Sequence, residues 1–322
     1  MKQIPLNLLS LYEDVSQRKR LSEVAPASIS RKIAGGKRHL YAVVKDGSSR
    51  RQIYIGPEDS SEALSKAEQH RRATREQRDL KTAIQALRRA GIAGPGIEVG
   101  QVLEVIANEG LFDRGLVLAG TVAYQLYPCV IGAFLPDGSA RTQDADFSIA
   151  RFAIAGMKGA KDFAAILKRA DPTFEPRWSR DDKLPKAFVS ERGLVVELLT
   201  ARGRDDKPVP IPDLGAAAQP LRFMEYLLAD PIDVVALYDG GVVVRVPDPA
   251  RFAIHKLLIH QVRGNRVKAE KDLWQARELI GVLRARDPAL LDNAISDCEG
   301  RGRVWRKMVR AGLEMVEAAE RP

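Results

Sequence analysis

The chain has 322 residues, 45% of them hydrophobic and 29% charged, a size and texture that predict about two globular domains in water. No apolar run approaches the ~18 residues of a membrane span, and the start, Met1 to Leu6, is too short in apolar length for a signal peptide. A cytoplasmic protein without a membrane partner is therefore expected.

The net charge of +9 is unevenly placed. Residues 1–95 hold 19 Lys/Arg against 10 Asp/Glu, whereas the rest holds 32 of each. A basic block beside a neutral one suggests a module that meets a polyanion, although a solvated helix surface gives the same count. Cys129 and Cys298 are far apart, without the spacing of a zinc site or disulfide framework, and read as reduced thiols.

In chain order, Leu6 to Val15 is a short amphipathic run, followed by Arg18-Lys19-Arg20. Arg38 to Val44 and Arg51 to Ile55 alternate with period two around the turn cluster Asp46-Gly47-Ser48-Ser49, which predicts a β-hairpin over about 38–55. The hairpin carries Lys37, Arg38, Lys45, Arg50 and Arg51 beside Tyr41 and Tyr54, so these five are the candidate nucleic-acid-binding cations. Ser60 caps a long polar helix through about Ala90, and Gly94-Pro95-Gly96 marks a boundary, giving a basic N-terminal module over 1–95.

The texture then turns to mixed α and β over 96–248. A helix is expected from Val99 to Glu109, a buried strand from Gly115 to Ala119 running into Gly120-Thr121, and a helix from Val122 to about Val130. Asp144 to Ile149, Ala187 to Ser190 and Leu194 to Leu199 read as strands, Ala160 to Ala170 as a helix, and Ile232 to Val246 as a hairpin. From Pro249 on, the region 249–322 is helical: Ala250–Gln261, Val267–Arg286, and Pro288 to about Ala318.

Asp144 and Asp146 are two apart on an expected strand, so both carboxylates project from one face, with Cα atoms roughly 7 Å apart. Hard oxygen donors in that arrangement suit Mg²⁺ or Mn²⁺, which bind through one or two carboxylates and substrate phosphates. Acidic pairs also occur on solvent-facing strand edges and in turns, so the pair gains weight from its company. Glu197 lies in an otherwise apolar strand, where a carboxylate is costly unless paired or metal-bound. Gly120-Thr121 joins a buried strand to a helix N-terminus, an arrangement that accepts phosphate oxygens. Lys256 and Asp272 sit on successive helices; a cation reaching the site would neutralise phosphate charge, although Lys256 also suits simple packing beside Leu257. His255 and His260, with no nucleophile beside them, read as structural or solvent-facing. Trp178, Trp274 and Trp305 read as core-like or half-buried, and Tyr124 and Tyr127 as core or pocket wall.

Leu116 to Tyr124 followed by Thr142-Gln143-Asp144-Ala145-Asp146-Phe147 resembles the signature of the DNA polymerase β-like nucleotidyltransferase superfamily: apolar strand, Gly-Ser/Thr turn, Asp-x-Asp, and a third acidic residue on a later strand. The likeness is greatest to a bacterial family of stand-alone nucleotidyltransferase-fold proteins. Arg251 to Leu257 and Lys271-Asp272-Leu273 resemble elements of abortive-infection and toxin nucleotidyltransferases, and the resemblance spans roughly residues 98–285. It implies an α+β fold with a mixed sheet flanked by helices. It also implies that Gly120, Thr121 and Lys256 bind the nucleoside triphosphate, that Asp144, Asp146 and Glu197 hold the metals, and that Asp272 orients a lysine or the acceptor. Glu197 stands where aspartate is commoner. The expected activity is metal-dependent transfer of an NMP from an NTP to a hydroxyl with release of pyrophosphate; RNA, tRNA included, is the first acceptor expected from the basic module, with a protein side chain or a small hydroxylated molecule as alternatives. The rival expectation is an inactive nucleotidyltransferase-fold protein that binds nucleotide or nucleic acid in regulation or defence.

Overall fold

A computed structural model describes residues 2–22, 24–47, 49–136, 149–154, 162–180, 183–203 and 206–318. The N-terminal region comprises helix α1 (Leu6–Arg20), strands β1 (Ala27–Ala34), β2 (Lys37–Asp46) and β3 (Ser49–Pro57), and the 29-residue helix α2 (Ser61–Arg89). The expected hairpin is present as β2 and β3, but β1 joins it in a three-stranded antiparallel sheet of order β1-β2-β3. Leu40 and Ala42 point to one face and are buried, Leu40 in a cluster with Ala63 and Ala67 of α2. Ser60 Oγ accepts the Ala63 N–H and starts α2 where its sequence places it.

Farther along α2, Leu80, Ile84 and Leu87 fall at helical spacing and pack on Tyr12 and Val15 of α1. The Tyr12 hydroxyl accepts the Val235 N–H at 3.0 Å and donates to the Val235 carbonyl at 3.2 Å, which ties this layer to the body of the protein.

The central region contains α3 (Ile97–Asn108), β4 (Leu116–Ala119), α4 (Gly120–Tyr124), α5 (Pro128–Ile131), β5 (Ile149–Ile154) and α6 (Phe163–Ala170). It continues through β6 (Glu175–Arg177), β7 (Ala187–Val189), β8 (Val195–Ala201), β9 (Val209–Ile211), β10 (Ala216–Leu221), α7 (Met224–Leu227), β11 (Ile232–Ala236) and β12 (Val242–Val246). The single helix expected over Val122 to Val130 is two short ones, because Pro128 lacks the N–H that an unbroken helix needs there. The mixed sheet runs β4-β5-β8-β10-β9. β5 and β8 are parallel, β4 is antiparallel to β5, and along its far edge β8 pairs first with β7 and then with β10.

Helices α8 (Pro249–Val262), α9 (Arg266–Arg286), α10 (Pro288–Gly300) and α11 (Arg303–Ala318) complete the described fold. The helix expected from Pro288 to Ala318 breaks at Arg301-Gly302, since glycine is poorly held in a helix interior. One hydrophobic cluster runs from Val99 to Val316, so these helices share a core with the mixed sheet. Tyr124 and Tyr127 are buried there, whereas Trp178 is 58% exposed, against the half-buried position expected for it. Among the described residues no helix is long and apolar enough to cross a membrane.

Candidate active site

Strand register places four residues in one row across the mixed sheet. Ala119 of β4 pairs with Arg151 of β5, Arg151 with Glu197 of β8, and Glu197 with Ala187 of β7. Paired residues share a face, so the end of β4, the arginine and the glutamate open on the same side. Arg151 Nε donates to Glu197 Oε2 at 2.9 Å, and both side chains are partly exposed. This pairing answers the cost of a carboxylate in an apolar strand.

The Gly120-Thr121 turn adjoins the row. Gly120 has φ +72°, a left-handed conformation that glycine adopts freely, and a Cβ there would sit 3.5 Å from Arg151 Cδ. The turn thus brings backbone directly beside the arginine. Thr121 is buried, 8% exposed, in the first turn of α4.

A cavity of about 670 Å³ opens over β7, β8 and β10. Glu197 lines it together with five cations from separate elements: Arg151, Arg177, Lys186, Arg222 and Arg263. Ile259 and Val262 bring the end of α8 over the same space. The wall is therefore strongly basic, with one carboxylate, and suits a polyanionic ligand more than a neutral one.

Behind Arg263 lies a buried ionic cluster between α8 and α9. Lys256 Nζ donates to Asp272 Oδ1 at 2.5 Å, and Arg263 Nε lies 2.8 Å from Oδ2 of the same carboxylate. The Asp272 side chain is 4% exposed and that of Lys256 11%. Burial pushes the Lys256 ammonium below its ordinary pKa, against the pull of Asp272. Lys256 and Asp272 are thus brought together as a pair, but Lys256 is absent from the cavity wall and Arg263 reaches it instead. His255 is adjacent and buried; neither ring nitrogen makes a hydrogen bond of normal geometry, and burial, then the Lys256 charge, pushes its pKa down to about 3.

Asp144 and Asp146 lie outside the described residues. Among the described residues no group of three His, Cys, Asp or Glu side chains is placed to hold a metal ion. Of the expected cations of the N-terminal module, Lys45 is paired with Glu104 of α3 at 2.8 Å, while Lys37, Arg38, Arg50 and Arg51 are exposed. Arg151, Arg177, Lys186, Arg222 and Arg263 were not singled out by sequence reasoning. Arg151 carries the same signal as Glu197, a charge inside an apolar strand; the others are gathered only by folding.

A family model described as Nucleotidyltransferase matches residues 97–299, which include the whole of this cavity wall. No curated protein matches the sequence. Among solved structures, the chain is similar to an antigenic nucleotidyltransferase-like protein from Paracoccidioides brasiliensis, at 15% identity and a TM-score of 0.33, over 68% of this chain and 95% of that one. At that score the likeness carries no argument.

Proposed function

This chain belongs to the nucleotidyltransferase family matched over residues 97–299, and from that premise we propose that it moves an NMP from an NTP to a hydroxyl acceptor, releasing pyrophosphate. The observation that supports this most is the basic cavity bearing Glu197 and bordered by the Gly120 turn at Arg151. Five cations around one space offset the charge of a triphosphate, and a glycine turn lets phosphate oxygens approach backbone N–H groups.

Asp144, Asp146 and Glu197 carry hard oxygen donors, a chemistry that would suit Mg²⁺ or Mn²⁺, and of the three Glu197 stands at the cavity wall. Such ions, when bound, lower the pKa of the acceptor hydroxyl and neutralise charge on the departing pyrophosphate. Arg151 holds Glu197 in place and presents a guanidinium to the same space. Arg263, fixed by Asp272, is the cation of the α8–α9 hairpin that would contact phosphate, with Lys256 acting through Asp272. RNA is the acceptor class we assign, on the charge of the N-terminal module. We propose a bacterial origin, as the sequence resemblance implies, and a cytoplasmic location, as expected from the sequence itself.

A second reading, nucleotide binding without turnover, is favoured by one observation: the Glu197 carboxylate is already engaged by Arg151. Pyrophosphate release and nucleotide affinity, measured with Mg²⁺ on wild type and Glu197→Gln, separate the two. Transfer predicts turnover that the variant loses. Binding alone predicts no turnover in either protein and equal affinity.

A further inference from the structure

The face of the N-terminal sheet turned away from α2 is built from alternate residues of three strands. Register places Lys37, His39, Tyr41, Val43 and Lys45 of β2 on it, with Ser30 and Lys32 of β1 on one side. Arg50, Gln52 and Tyr54 of β3 lie on the other. No acidic residue of these strands shares that face. Its centre is aromatic: the Tyr41 and Tyr54 rings have centroids 5.3 Å apart, and Lys32 Nζ lies 5.1 Å from the Tyr41 ring centroid. His39 Nδ1 is 3.1 Å from the Tyr54 hydroxyl, fixing a ring that is 53% exposed. Holding an exposed tyrosine and a lysine in this way does nothing for a core, because the sheet's other face already packs on α2.

The same face leads towards the body of the protein. Val43, Lys45 and Arg50 line a cleft of about 900 Å³, which Arg51 and α2 also border and to which α3 and α6 contribute, Glu104 and Arg169 among them. The β2–β3 turn seats there: Gly47 has φ +62°, and a Cβ would run into the Arg169 carbonyl of α6. The platform is thereby held at a fixed place against the nucleotidyltransferase region rather than on a free arm.

We propose that this face binds single-stranded polynucleotide, with bases stacking on Tyr41 and Tyr54 and backbone phosphates meeting Lys32, Lys37 and Arg50. Stacked aromatics with flanking cations are what unpaired bases require, whereas a duplex hides its base faces. The inference rests on the transfer reading only in naming its acceptor class; binding itself needs neither nucleotide nor metal.

The test is fluorescence anisotropy of full-length protein with labelled 12-nucleotide oligouridylate, the matching DNA single strand, and a duplex of equal length, without NTP or divalent metal. A single strand should bind at least about tenfold more tightly than the duplex, and the RNA and DNA arms decide which sugar is preferred. Tyr54→Ala should weaken binding roughly 5- to 100-fold, Tyr54→Phe should retain it, and Lys32→Gln should lower the salt slope by about one. Glu197→Gln should bind as wild type, so a failed transfer assay leaves this result standing. Wild-type affinity in both Tyr54→Ala and Tyr41→Ala, or duplex binding as tight as single-strand binding, would overturn the proposal.

Discussion

Arg151 Nε and Glu197 Oε2 lie 2.9 Å apart across neighbouring parallel strands, beside the glycine turn that ends β4. The carboxylate expected to hold metal is therefore also the partner of a cavity-lining arginine. Arg151→Met should lower kcat/KM on the order of 100-fold, as removal of one preorganised charge-stabilising donor does. The stability of the variant should change by less than about 1 kcal/mol, because the pair is partly exposed. Steady-state pyrophosphate release and urea denaturation check the two halves; unchanged kcat/KM would remove Arg151 from phosphate binding.

The buried pair behaves differently. Lys256→Met leaves Asp272 with Arg263 as its ionic partner among the described residues, and should cost about 3 kcal/mol or more. Lys256→Met combined with Asp272→Leu should cost less than Lys256→Met alone, because no buried carboxylate that has lost its lysine remains inside. A double-mutant cycle on urea midpoints measures this. Additive losses would contradict the account.

Burial of His255 gives the structure a pH dependence whose sign follows from the lost solvation of the imidazolium. Its folded pKa of about 3 lies below the ordinary 6.5, so below about pH 6.5 the unfolded chain binds the extra proton. Stability from the neutral imidazole is complete above that value and is lost as pH falls towards 3, at up to about 1.4 kcal/mol per pH unit. Unfolding free energies at pH 7, 6 and 5 should decline for wild type and decline less for His255→Leu. Parallel curves would exclude the residue as the source.

Gly120 is required by its left-handed backbone, φ +72°, while a Cβ there would meet the Arg151 side chain at ordinary contact distance. Gly120→Ala should destabilise the fold by about 1 kcal/mol. It should also weaken nucleotide affinity several-fold, by crowding the N–H groups offered to phosphate. Calorimetric titration with a non-hydrolysable NTP, alongside thermal melting, reads both effects; wild-type affinity in the variant would show that the turn does not face the nucleotide.

Much of this was legible locally. Gly120 announces itself by punctuating an apolar strand, and Glu197 by its charge in another, and both fall beside Arg151. Strand β10 was not read, because Ala216-Ala217-Ala218 and Pro220 carry no β-branched alternation and the strand exists through its pairing with β8 and β9. The resemblance assigns Lys256 to phosphate, and α8, apolar around most of its circumference, does not show in sequence which side faces the cavity. Arg263 outreaches it from the helix end. The cationic ring itself is non-local, assembled from strands, loops and a helix terminus more than a hundred residues apart.

Following the two ends of the NTP separately distinguishes nucleotidyl transfer from other fates of the nucleotide. Wild-type protein, Mg²⁺ and single-stranded RNA are incubated with NTPs labelled at the α- or the γ-phosphate. Nucleotidyl transfer predicts α-label covalently attached to the acceptor, γ-label recovered as pyrophosphate, and neither with Asp144→Ala/Asp146→Ala. Label from the γ-position released as inorganic phosphate, or α-label transfer undiminished in that variant, would contradict it.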